Sequence, residues 1–307
     1  MGIITTSNFA KDLVPGVKTW FGQKYKEYPI EYLEIFEKGT STKAFEEEAG
    51  VTGFGLAAVK TEGGGVAYDE QEQGFVSRYT HVTYGLGFII TREMYEDGIA
   101  VTVALRRANA LAFSIRQTKE IIAANVLNRA FTAAYTMGTN SDGKELCATN
   151  HPNKSGGTWS NELAVAADLS EAALEQACID IAAFTTDRGL KIAIMPQKLI
   201  IPTALEFDAM RILESIGQSG TANNDINALK ASKKFPQGIS VNHYLTDTDA
   251  WFIKTNCPDG LKYMERRPDA FGTENDFDTE NAKFKATFRG SFGWSDPRGI
   301  FGSPGAA

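Results

Sequence analysis

Phe75-Val-Ser-Arg-Tyr-Thr-His-Val-Thr-Tyr-Gly-Leu-Gly-Phe-Ile-Ile-Thr91 is the stretch on which the fold turns. It is rich in β-branched and aromatic residues, the composition of a strand. In extended backbone Val76, Arg78, Thr80, Val82, Tyr84, Leu86, Phe88 and Ile90 share one face. Phe75, Ser77, Tyr79, His81, Thr83 and Ile89 share the other, and the distal half is polar on both. Upstream, Val51-Thr-Gly-Phe-Gly-Leu-Ala-Ala-Val-Lys60 predicts a partner strand, with Gly63-Gly64-Gly65 as a tip that permits positive φ. An isolated two-stranded hairpin is marginally stable in water, so one this long needs its own domain or a neighbouring chain to lie on, and the neighbour fits better.

Working outward, Leu105 to Tyr135 holds no Pro or Gly and is full of Ala, Leu, Arg and Ile, which predicts one long helix. Leu111, Ile115, Thr118, Ile122 and Val126 form its apolar stripe, and Arg106, Arg107, Arg116, Lys119 and Arg129 lie away from it. A short helix is expected near Ile30 to Glu37, in an otherwise extended N-terminal stretch ending in the acidic Glu46, Glu47 and Glu48. Gly138 to Ser160 is turn-rich and predicts a loop. Ser170 caps an expected helix with Leu174, Ala177, Cys178, Ile181 and Phe184 on one face, ending near Gly189. Lys191 to Ile201 predicts a buried strand broken by a turn at Pro196-Gln197-Lys198, and Ala204 to Ser215 a second helix. Gly217 to Ala228 is small and polar, an exposed loop, and Ile239 to Leu245 with Ala250 to Lys254 predicts a hairpin around Thr246-Asp-Thr-Asp249. Near the C-terminus Phe284, Ala286, Phe288, Phe292 and Trp294 alternate with Lys283, Lys285, Thr287, Arg289 and Ser291, a strand with one buried face. Strands precede and follow the helices without βαβ alternation, so the fold class is α+β. No repeat or heptad series supports a solenoid, propeller or coiled coil.

Composition removes several functions. With 307 residues, 43% hydrophobic and 22% charged, the chain is a folded protein of about two domains or one elaborate one. Its 31 Lys and Arg against 38 Asp and Glu leave a charge of −7, which repels nucleic acid and anionic membrane at long range. No apolar run has membrane-spanning length, and the N-terminus lacks the pattern of an export signal, so no membrane partner is expected. Cys147, Cys178 and Cys257 are widely spaced and form no CxxC pair, which suits reduced thiols.

Nor does any motif call for catalysis, a cofactor or a metal. His81, His151 and His243 sit in separate parts of the chain, without a HExxH or Cys/His cluster, and His81 on a strand face and His151 before a proline read as ordinary surface or loop histidines. Gly53-Phe-Gly55-Leu-Ala-Ala58 satisfies a loose GxGxxA pattern, but no helix follows to supply an N-terminus for a pyrophosphate. It reads as a glycine-containing strand. Phosphate-loop and GxSxG signatures are missing. Asp69, Glu70 and Glu72 form either a solvated face or a patch that meets basic residues of another subunit.

The order of pieces (extended arm, long glycine-tipped hairpin, long helix, α/β unit with a polar loop, return strand) resembles tailed-phage major capsid proteins of the Hong Kong 97 type. Three stretches carry a similarity to the Mu-like major head subunit family. They are Tyr84-Gly-Leu-Gly-Phe-Ile-Ile-Thr-Arg-Glu-Met-Tyr-Glu-Asp97, Lys198-Leu-Ile-Ile-Pro-Thr-Ala-Leu205 and Phe288-Arg-Gly-Ser-Phe-Gly-Trp-Ser-Asp-Pro-Arg-Gly-Ile-Phe301.

The resemblance implies an N-terminal arm over 1–50 and an E-loop over 51–92 that lies on an adjacent subunit. It implies a peripheral domain from 93–159, with its spine helix at 105–135, and 261–307, and an axial domain over 160–260. Lys60, Glu62, Gly63, Gly64 and Gly65, with Asp69, Glu70 and Glu72, become E-loop contacts between subunits, and Asn223, Asn224, Asp225 and Asn227 contacts around the hexamer and pentamer axes. It further implies a homo-oligomeric icosahedral shell enclosing double-stranded DNA without sequence-specific binding, a separate scaffold protein, and assembly in the bacterial host cytoplasm into a virion. Two rivals remain on the sequence alone: an encapsulin-like compartment holding a cargo enzyme, and a soluble α+β enzyme.

Overall fold

The alternation near the C-terminus decides the core. In the computed structural model, which describes residues 29–97, 100–217, 225–276 and 278–306, Phe284, Ala286, Phe288 and Trp294 are buried on one side of a single strand. The N-terminal elements are α1 (Tyr32–Ile35), β1 (Glu37–Thr40), β2 (Phe45–Val51), β3 (Gln73–Thr80) and β4 (Val82–Ile90). Two helices follow, α2 (Arg92–Glu96) and the long α3 (Ala100–Asn128), then a small ribbon, β5 (His151–Pro152) with β6 (Thr158–Trp159). Next come α4 (Glu171–Ala182), β7 (Pro196–Pro202), α5 (Glu206–Glu214), α6 (Ala228–Ala231), β8 (Ile239–Asn242) and β9 (Trp251–Thr255). Last are β10 (Leu261–Asn275), β11 (Ala282–Trp294) and β12 (Ile300–Ser303).

The first sheet has the order β1-β10-β11-β4, antiparallel except for β1 beside β10. Helix α3, about 44 Å long at 1.5 Å per residue, covers one face of it. Ala104, Ala108 and Ala112 are buried against Phe284, Ala286 and Phe288, so the helix backbone comes close to the sheet. Tyr84 stacks on Phe288 with ring centroids 5.1 Å apart and Phe88 on Phe284 at 4.9 Å, the cross-strand pairs that hold β4 in register. The second sheet has the order β12-β9-β7-β8 and a separate core against α4, α5 and α6, with Leu174, Ile181, Leu199, Ile201, Trp251 and Phe301 fully buried. Ser170 caps α4 by accepting from the Ala173 N–H, as its sequence position predicts.

Several expectations are corrected. The strand predicted over Val51 to Lys60 lies earlier, at Phe45–Val51, and residues 52 to 72 have no strand. Glu46, Glu47 and Glu48 tolerate that strand because each carboxylate finds a partner: Ser41 and Lys43, Arg78, and Lys262 respectively. The stretch from Phe75 to Thr91 divides at His81 into β3, which pairs with β2, and β4, which joins the sheet through β11. Helix α3 runs from Ala100 to Asn128 rather than 105 to 135. Its end is set by tertiary bonds: the Asn128 amide donates to Tyr244 O and accepts from Thr246 N, and Ala130 O accepts from Cys147 N.

Arg116 and Lys119, placed on the solvent side by the stripe, are buried together with Glu120, because elements wrap the helix on more than one side. Lys119 Nζ pairs with Asp269 at 2.7 Å, and the Glu120 carboxylate accepts the Glu31 and Tyr32 N–H groups, capping α1 from 88 residues away. Burial nevertheless raises the Glu120 pKa above the ordinary carboxylate value. Strands β8 and β9 form no hairpin, since β7 lies between them, parallel to β8 and antiparallel to β9. Pro196-Gln197-Lys198 is the start of β7 and not a turn, its proline at the first strand position where the missing N–H costs least. The Gly138 to Ser160 loop is not superficial, because Leu146, Cys147, Ala148 and His151 are buried in it. His151 lies between Asp142 Oδ2 at 2.7 Å and Asn161 Oδ1 at 3.0 Å, stacked on Trp159, and His81 is buried too. Only His243, bonded to Glu31, is exposed.

Phe288 supports the helix, the sheet and a cation–π contact with Lys119 at once. Phe288→Ala is expected to lower stability by about 3–5 kcal/mol, measured by urea denaturation, while Lys285→Ala on the opposite face changes it by less than about 0.5 kcal/mol.

Candidate assembly surface

Residues 52 to 72 leave the body as a loop pinched at its base. Thr52 N–H and Oγ1 both donate to Glu72 O, and Glu72 N–H donates to Thr52 Oγ1 at 2.8 Å. Beyond this pinch the loop carries Phe54, Leu56, Val59, Val66 and Tyr68, all exposed, with Leu56 at 85%, Val59 at 96% and Tyr68 at 97%. Apolar side chains grouped this densely on a segment without a core mark a contact surface. The turn at its tip is closed by Gly64 N–H donating to Thr61 O, with Gly63 at φ +75°, the left-handed region that favours glycine.

One clamp ties the loop to its own chain. Arg188 Nη1 donates to Asp69 Oδ2 at 2.6 Å, Arg188 Nη2 donates to Glu70 O at 2.7 Å, and the Gly55 N–H donates to the same Asp69 oxygen. Arg188, then the Gly55 amide, hold the Asp69 carboxyl below its ordinary range. Asp69 is therefore engaged within the chain. Lys60, Glu62, Gly63 and Gly65 are open to solvent, Gly64 partly so, and Glu70 and Glu72 extend their side chains outward while their backbones bind Arg188 and Thr52.

The polar loop expected around the axis is seen only at its ends. Asn223 and Asn224 lie outside the described residues, and Asp225 is exposed. Asn227 is not a surface residue: it is 1% exposed, and its side chain donates to Ile212 O and Ser215 Oγ and caps α6 by accepting from Lys230 N–H. Around this loop Phe207, Met210, Ile216 and Ile226 are exposed, a second apolar region.

The ribbon β2–β3 that carries the loop is anchored by polar bonds. Ser41 Oγ donates to Glu46 Oε1, so it must accept from His81 Nε2–H at 3.0 Å, and His81 Nδ1 in turn accepts from Ser291 Oγ at 2.9 Å. This assigns a neutral His81 with its proton on Nε2. Behind the ribbon, Glu48 binds Lys262 and Ser295, Tyr79 bonds Ser295, and Arg298 pairs with Asp187 and Asp296. Glu48, Lys262, Ser295, Asp187, Asp296 and Arg298 line, together with Trp159 and Trp294, a cleft of about 620 Å³.

The thiols are poor nucleophiles: Cys147, Cys178 and Cys257 are buried and free, and burial raises all three, Cys178 to about 11. Among the described residues no group of three or more His, Cys, Asp or Glu is placed to hold a metal ion, and no helix is long and apolar enough to cross a membrane.

Burial first, then Arg289, lower the His81 pKa below its ordinary 6.5. The unfolded chain thus takes up a proton that the folded chain resists, so this residue's contribution is complete above about pH 6.5 and lost as pH falls below it. Denaturant midpoints between pH 5 and 7 are expected to rise with pH, with a shallower slope in His81→Gln. For the clamp, Arg188→Ala is expected to accelerate proteolysis within residues 53 to 70 several-fold, without changing far-UV circular dichroism.

A family model described as phage capsid protein matches residues 74–302. Comparison with curated proteins finds no match. Among solved structures, the capsid of a native GTA particle aligns with a TM-score of 0.53 at 13% identity, covering 90% of this chain and 90% of that one. The capsid of an empty GTA particle gives 0.52 at 12% identity, with 90% of each chain covered. Mycobacterium phage Che8 gives 0.50 at 13% identity, over 89% of this chain and 90% of that one. At such identities the likeness is one of fold, the Hong Kong 97 type, with a long helix over a sheet and a second α/β unit. With three quarters of its length matched by the family model, the chain belongs to the phage capsid protein family, as a structural shell protein and not an enzyme.

Proposed function

We propose that many copies of this chain, a major head subunit of the Mu-like kind, assemble as hexamers and pentamers into an icosahedral head around double-stranded DNA. The observation that carries this reading is the loop of residues 52–72, whose Leu56, Val59 and Tyr68 are almost wholly exposed in the lone chain. In a shell that loop is the E-loop and lies on an adjacent subunit. Helix α3 with the first sheet serves as the peripheral domain, the second sheet with α4, α5 and α6 as the axial domain, and the first fifty residues as the arm.

A standard specific interface buries about 1,600 Å². A subunit held by several such contacts of modest strength can dissociate when misplaced, yet is retained in a closed shell by multivalency. DNA is enclosed without base-specific contacts, in keeping with the chain's −7 charge. A separate scaffold protein guides closure, and assembly takes place in the bacterial host cytoplasm.

Deleting Glu62 to Glu72 is expected to leave a folded subunit, by circular dichroism and sedimentation, that forms no stable shells by electron microscopy. Normal shells from that deletion would refute the loop's role. Shells of the parent chain that hold a protein cargo and no DNA would instead make it a compartment protein.

A further inference from the structure

Beyond the Thr52–Glu72 pinch, the loop is bonded to the body at one place. Among the described residues, the hydrogen bonds from residues 53–71 to the rest of the chain are those of Arg188. The Asp69 carboxylate gathers the strands of the loop at that point. Its Oδ2 accepts from the Gly55 N–H at 2.7 Å and from Arg188 Nη1 at 2.6 Å, and its Oδ1 accepts from the Glu70 N–H at 3.0 Å. Arg188 is itself held firmly. It stands in a narrow turn where the Thr186 N–H donates to Leu190 O at 2.7 Å, the Gly189 N–H donates to Thr186 O, and Thr185 bridges to Lys191. The buried Arg298 fastens this turn by donating to Thr185 O at 3.0 Å and to Asp187 at 3.2 Å.

The root of the loop, by contrast, has a weak place. Ribbon β2–β3 changes register between the pairs Ala49–Val76 and Val51–Gln73, so β3 carries one residue more than β2 there. Gly50 and Gly74 come together at this irregularity, and a Cβ on Gly74 would stand 3.0 Å from Gly50 C and O. Two residues without side chains at an interrupted ladder are where a ribbon bends with least resistance. The cleft of about 620 Å³ opens beside this joint, with Gly50, Gly53 and Gly74 on the ribbon side and Thr186 and Asp187, next to Arg188, on the body side. The ribbon thus has room to swing, and Arg188 bridges that room.

We propose that Arg188 is a positioning residue for assembly, a strut across the cleft that fixes loop 52–72 at one angle to its own body against swinging at the Gly50/Gly74 joint. The inference rests on the loop being a subunit contact. A loop that samples many angles gives up that freedom on docking and weakens the contact accordingly, whereas one already held at its working angle does not. The bonding favours a strut over an incidental surface pair. Two guanidinium nitrogens bind two different groups, a carboxylate and a backbone carbonyl, so direction is set as well as distance. Nor does the clamp hide the loop: Phe54, Leu56, Val59, Val66 and Tyr68 stay exposed with it closed, which excludes a role in withholding the loop from a partner. The ribbon continues through β4 into the first sheet, while the Arg188 turn lies between α4 and β7 of the second unit. The strut therefore ties the loop's angle to both units.

The test reads the loop's angle and the assembly separately. Spin labels are placed at Val59→Cys on the loop and Ala172→Cys on the exposed side of α4, the three native thiols being buried. In the lone subunit the distance distribution between them is expected to be narrow with Arg188 present and broad in Arg188→Ala. The Tm is expected to stay within about 1 °C, because the ion pair is partly exposed. The concentration at which shells form, read by sedimentation and electron microscopy, is expected to rise about three- to tenfold in Arg188→Ala and less than about twofold in Arg188→Lys, which keeps the bond to Asp69. Gly50→Ala places its Cβ 3.5 Å from Phe75 O, an ordinary contact, and stiffens the joint. Added to Arg188→Ala, it is expected to narrow the distribution and recover part of the lost assembly, and no recovery would overturn the joint. A narrow distribution in Arg188→Ala would overturn the strut, and a broad one with an unchanged threshold would overturn its part in assembly. The deletion of Glu62 to Glu72 separates the two readings. If it abolishes shells while Arg188→Ala assembles as the parent does, the loop's role stands and the strut falls, whereas normal shells from the deletion remove the loop's role and the strut with it.

Discussion

The close approach of α3 to β11 is the constraint on which the other elements depend. Ala104, Ala108 and Ala112 bring the helix backbone close to the sheet, and Ala286 between Phe284 and Phe288 gives it a shallow place to rest. Larger residues at these points would lift the helix and open a gap along much of its length. Helix α3 also organises what lies at its far end. Glu120 fixes α1, Ala123, Val126 and Leu127 join the core with Trp294 and Tyr263, and Asn128 ties the Tyr244 to Thr246 turn.

Polar groups inside this frame act as locating pins. Lys119 with Asp269, Glu120 with the α1 amides, and His81 between Ser41 and Ser291 each connect parts of the chain 40 or more positions apart. Leaving any of these groups unpaired costs more than forming the bond returns, so the network penalises wrong registers more than it adds stability. Serine hydroxyls that both donate and accept let His81 stay neutral inside, which keeps the root of the β2–β3 ribbon in one orientation.

Two kinds of surface are left over after the monomer has folded. One is the loop with its exposed Leu56, Val59 and Tyr68, and the other is the region of the exposed Phe207, Met210, Ile216 and Ile226. A protein whose working state is a closed array can place part of its apolar and electrostatic stabilisation between copies, where it acts only after assembly.

The sequence by itself determined the alternating strand from Phe284 to Trp294, the existence of a long helix, the Ser170 cap and the α+β class, because these follow from local periodicity and from which residues lose least on adopting one backbone state. The apolar residues of loop 52–72 were also visible, although they were read as half of a strand. Tertiary structure alone decided that Arg116, Lys119 and Glu120 lie inside, that His81 and His151 are buried, that β7 separates β8 from β9, and that Asn227 caps a helix. Arg188 as the loop's clamp and the facing of Arg267 with Arg289 belong to the same group. Each of these depends on which distant segment comes alongside, a choice set by pairing and burial across the chain, and no window of neighbouring residues contains it.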